Sequence, residues 1–65
     1  MATLILEPNI ARPDEFYDAL IAIHRDLTVE ESAKVNAKLV LLLANHVGDM
    51  DVLQQALAAA RGVDG

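Results

Sequence analysis

The chain contains no cysteine. That removes disulfide staples and thiolate metal sites, and it suits a reducing compartment. Basic residues are scarce, with five Lys and Arg against ten Asp and Glu and a net charge of −5. Nucleic-acid binding draws most of its affinity from Lys and Arg neutralising phosphates, so that class is disfavoured, as is an anionic membrane surface. The three glycines all fall near expected helix ends, which leaves no glycine-rich loop to cradle a phosphate. The longest uninterrupted apolar run, Leu39 to Ala44, is far short of the roughly 20 residues that span a bilayer. No basic segment followed by an apolar stretch opens the chain as a secretory signal would. The expectation is a soluble, cytoplasmic protein with neither nucleic acid nor membrane as partner.

What the chain does have is apolar surface. Hydrophobic residues make up 54% of 65 residues, and the mean hydropathy of +0.30 is high for a small soluble protein. Charged residues are spread along the chain, so the composition is not that of a disordered segment. One small core is all this length allows. Domains of this size bury only about 60% of their unfolded surface and are marginal without staples or partners. With disulfides excluded, oligomerisation is the simplest remaining device.

Residues 1–12 read as an extended arm in which Thr3-Leu4-Ile5-Leu6-Glu7 favours an extended backbone and Pro8-Asn9 ends it. Its aliphatic run has to lie either across the chain's own helices or on a partner subunit. A three-helix domain over 13–62 and a tail over 63–65 follow. The first helix is expected from Pro13 to about Asp26, with proline in the first turn and Asp14, Glu15 and Asp18 at the positive end of the dipole. Phe16, Leu20, Ile23 and Leu27 form its core stripe, and Tyr17, Ile21 and His24 form a flanking ridge available to a partner. The second helix opens with a capping box, Thr28 at the N-cap and Glu31 three residues on, and Gly48 closes it. So short a connection predicts an antiparallel hairpin of the first two helices. The third helix runs from Met50 to Arg61, capped by Asp49 and closed by Gly62, with the narrow stripe Leu53, Ala56, Leu57 and Ala60. Asp51, Gln54, Gln55 and Arg61 face away. The fold class is all-α: a helical hairpin plus a short third helix, preceded by an extended arm.

The second helix is the informative one. At about 100° per residue its apolar positions run from Leu42 through Leu39, Leu43, Val47, Val40, Ala44 and Ala37 to Leu41, and only Lys34, Lys38 and Asn45 form a polar stripe. A helix apolar over that much of its circumference has to be surrounded, and one small domain cannot surround it. Leu39, Val40, Leu42, Leu43 and Val47 are therefore the expected interface of a homo-oligomer, a dimer being the simplest. Asn36 lies inside the same arc, where a lone amide can fix register.

Catalytic equipment is sparse. His46, Asp49 and Asp51 lie close enough to suggest a metal site, with His24 as a remoter candidate, but Asp49 is accounted for as an N-cap and both histidines as residues late in their helices. A catalytic zinc wants three protein ligands. The acidic cluster Asp14, Glu15 and Asp18 is explained by its place on a first helical turn. Thr28 and Ser32 belong to the start of the second helix, and no Ser-His-Asp or Cys-His arrangement occurs. The second and third helices superficially resemble a helix-turn-helix, with Gln54 and Gln55 as possible base readers. The would-be recognition helix opens with Met50-Asp51, which presents an acid to phosphates. The expectation is no enzyme, no cofactor and no metal.

Three stretches, Leu4-Ile5-Leu6-Glu7-Pro8-Asn9, Asp14-Glu15-Phe16-Tyr17 and Leu41-Leu42-Leu43-Ala44-Asn45-His46-Val47-Gly48-Asp49, carry a likeness that covers nearly the whole chain. It resembles a family of small bacterial proteins of about this length known as a domain of unknown function. Members can be encoded near flavin-dependent hydroxylases. The resemblance thus implies an accessory role, docking onto a larger enzyme such as a flavin-dependent oxidoreductase. No dinucleotide fingerprint is present in this chain itself.

Overall fold

The computed structural model describes residues 2–62, and the tail at 63–65 lies outside them. Three helices follow a non-helical arm: α1 (Pro13–Ile23), α2 (Val29–Val47) and α3 (Met50–Arg61). No strand occurs among the described residues. The fold class is the all-α one expected, and the starts and stops of the last two helices fall where their caps placed them.

Those caps are explicit. The Glu31 N–H donates to Thr28 Oγ1 (3.1 Å), and the Thr28 N–H donates to Glu31 Oε1 (2.9 Å), closing the capping box of α2. At its far end Gly48 takes φ +70° and donates to the Ala44 carbonyl at 2.8 Å. A left-handed residue there satisfies an orphan carbonyl while turning the chain, and glycine does so without Cβ strain. Asp49 at once caps α3, its Oδ1 accepting from the Val52 N–H at 3.1 Å. α1 starts less firmly. Pro13 occupies the first turn, but Arg12 makes no side-chain cap, and its ion pair with Glu15 (3.3 Å) is exposed and contributes little.

Two details differ from the sequence reading. α1 ends at Ile23 rather than near Asp26. The next three residues form a tighter turn, with His24 N–H donating to the Ile21 carbonyl and Arg25 N–H to that of Ala22, and Asp26 takes φ +63°. Asp tolerates the left-handed region better than most side chains, so it can end this turn ahead of the Thr28 cap. The second difference concerns packing. The connection from α1 to α2 is short, as a hairpin requires, yet the helix pair whose Cα atoms approach within 8 Å is α2 with α3. The Gly48-Asp49 turn holds the end of α2 beside the start of α3, whereas the longer stretch of residues 24–28 separates α1 from α2 at its own corner.

No described residue is fully buried. Leu20 on α1, Leu27 in the turn, Val35 and Leu39 on α2, and Val52, Leu53 and Ala56 on α3 are half-buried and mark where a core begins. Phe16 and Ile23, expected in the core stripe, remain exposed, as does Leu57 on α3. The radius of gyration is 13.6 Å, against roughly 11 Å for a compact domain of this length. The molecule is elongated, 40 × 26 × 26 Å.

Candidate interaction surface

One narrow strip of α2 is partly covered by the chain itself, and exposed apolar residues flank it. Ser32, Val35 and Leu39 share one side and are half-buried by the chain itself. Leu39 therefore belongs to the intrachain packing, although the sequence grouped it with the interface. The other expected interface residues face outward: Val40 is 61% exposed, Leu42 69%, Leu43 50% and Val47 48%. Leu41, 70% exposed, joins them. It escaped the sequence reading of the interface because it borders the Lys34-Lys38-Asn45 stripe, where an exposed leucine is unremarkable taken alone.

Asn36 has a partner inside the chain. His24, the residue following α1, donates from Nδ1 to the Leu20 carbonyl oxygen (2.8 Å), and its Nε2 lies 2.8 Å from Asn36 Oδ1. The first bond fixes the ring against its own helix, and the second ties that ring to α2. A carboxamide can present either its oxygen or its NH2, so Asn36 can answer whichever role the ring Nε2 takes. Of the ridge expected on α1, Tyr17 and Ile21 are exposed, whereas His24 is half-buried and turned toward α2. It holds the junction together and is not part of the outer ridge.

The arm lies on α3 of its own chain. The Leu4 N–H donates to Gln55 Oε1 (3.1 Å), and Gln55 Nε2 donates to the Ala2 carbonyl (3.2 Å). The Gln55 side chain thus meets the arm as a neighbouring strand would, through one acceptor and one donor. Gln55 was expected to face solvent. It is exposed, and the arm comes to it. Nothing local in the sequence marks this contact. Beyond Leu4, which is half-buried, Ile5, Leu6, Pro8 and Ile10 line a shallow hollow with Pro13 and Tyr17 of α1.

Asp49 is spent on the α3 cap, and among the described residues no group of three or more His, Asp or Glu is placed to hold a metal ion. Among these residues, too, no helix is long and apolar enough to cross a membrane. The described residues form three helices, and their prominent feature is the apolar surface that the chain itself leaves exposed. A family model described as protein of unknown function (DUF2783) matches residues 4–62, and the chain belongs to that family. No curated protein and no solved structure matches it.

Proposed function

We propose that this chain is a non-catalytic helical interaction protein that self-associates through the outer side of α2. One quantity carries the reading. A folded monomer of 7.0 kDa exposes roughly 4,000 Å², whereas this chain exposes 5830 Å². The surplus of about 1,800 Å² is roughly twice what a partner contributes to a standard interface, and it falls in the range of permanent homodimers when both copies are counted. Full burial of each large aliphatic side chain adds about 1.5–3 kcal/mol, so Val40, Leu43 and Val47, which share one side of α2, supply the driving force, while the exposed Leu42 lies on the opposite flank of the half-buried Ser32-Val35-Leu39 strip. The absence of cysteine and the acidic charge fit a cytoplasmic setting without nucleic acid.

Equilibrium sedimentation from micromolar concentration upward tests this. The expected mass is twice 7.0 kDa, and a monomer at tens of micromolar would overturn the reading. Leu43→Asp should abolish the dimer and most of the helical circular dichroism. A folded variant of unchanged mass would also count against it.

A second reading is an accessory subunit docking onto a larger enzyme, such as a flavin-dependent oxidoreductase. The exposed Tyr17, which shares a hollow with the arm's Leu6 and Ile10, and the exposed Ile21 on α1 favour it, because they add apolar surface that does not belong to α2. It predicts stoichiometric co-purification with one larger chain from the source cell.

A further inference from the structure

The outer side of α2 has a regular internal pattern. Val29, Ala33, Asn36, Val40, Leu43 and Val47 recur at spacings of four, three, four, three and four along one side of a 19-residue helix, and every one of them is exposed. This is the seam spacing of a two-helix coiled coil. Val stands at both ends of the row, while the small Ala33 lies toward the N-terminus and the larger Leu43 toward the C-terminus.

We infer that two copies of the chain pair α2 against α2 in antiparallel orientation, about a two-fold axis near Lys38. The inference rests on the self-association proposed above and specifies its geometry. Reversal pairs Val29 with Val47, Ala33 with Leu43 and Asn36 with Val40 of the second copy. Each pair then sets a smaller or equal residue against a larger one, and the interface is isologous, the same surface meeting itself. Parallel pairing would set Ala33 against Ala33 and leave a void, whose lining loses its contacts outright. It would also set Asn36 against Asn36, although that side chain is already held by His24 within its own subunit. The antiparallel arrangement asks nothing further of it.

Charge agrees. The first turn of α2 carries Glu30 and Glu31, and its last turn carries His46. Antiparallel pairing places the acidic, positive-dipole end of one helix beside the opposite end of the other, while parallel pairing gathers both acidic turns at the same end.

The absence of native cysteine makes the test clean. Val29→Cys and Val47→Cys are prepared separately, mixed or kept apart, and equilibrated in a glutathione redox buffer. The two positions are 18 residues apart on the helix, or about 27 Å, far beyond the Cα separation of about 4–7 Å that a disulfide bridges. Each variant alone should stay free of covalent dimer on a non-reducing gel, and the mixture should form it. Covalent dimer from either variant alone would overturn the antiparallel geometry and leave self-association intact. A sedimenting dimer that no combination links would remove the seam as the interface. A wild-type monomer would remove both the seam and the proposed function.

Discussion

The two corners of the chain are built from similar parts and reach different results. At Gly48-Asp49 two residues end one helix and cap the next, and the adjoining ends of α2 and α3 are held close. At residues 24–28 the chain also turns tightly and enters α2 through a complete capping box, yet α1 makes no comparably close backbone approach to α2. Among the described residues a side-chain hydrogen bond from His24 to Asn36 ties it to α2. Caps decide where a helix starts and stops and how the chain leaves it. They do not supply the apolar area that presses one helix on another, and around α1 that area faces outward.

Substitutions at the two corners can break this contrast. Gly48→Ala should have the larger effect. An added Cβ would meet only the Asn45 carbonyl oxygen at 3.7 Å, an ordinary contact, so the cost is the left-handed backbone itself. That is about 1–2 kcal/mol, or a fall in Tm of roughly 5–10 °C for a domain of this size. Asn36→Ala should cost about 1 kcal/mol, and its effect should be local. Amide exchange in α1 should quicken while α2 and α3 keep their protection. Equal loss of protection in all three helices would mean that the corners form one cooperative unit and the contrast is false. Gln55→Ala should have the smallest effect, a few tenths of a kcal/mol in Tm terms, with faster exchange at the Leu4 amide as its signature.

What was legible in the sequence follows the same division. Thr28 with Glu31, Gly48 with Asp49, and Gly62 each announce a helix end through bonds made within three or four residues, so their positions could be read directly. The end of α1 could not, because His24, Arg25 and Asp26 are all tolerated in a helix and only the need to reach Thr28 turns the chain early. The breadth of the apolar arc on α2 was plain. The wheel does not say which part of that arc the chain itself covers, so Leu39 was grouped with outward residues although it faces inward. The bonds from Gln55 to the arm and from His24 to Asn36 join residues far apart in the chain, and no local pattern encodes them.

The surplus of exposed surface also bears on the life of the molecule in a cell. A chain that completes its core by pairing with a copy has a stability that depends on how many copies are present. Each tenfold dilution takes about 1.4 kcal/mol from such a pair. For a pair whose total stability is of the order of 5 kcal/mol, about three to four decades of dilution separate an ordered population from one open to proteases. The rate at which the protein is synthesised would then set how long each molecule survives as well as how many there are.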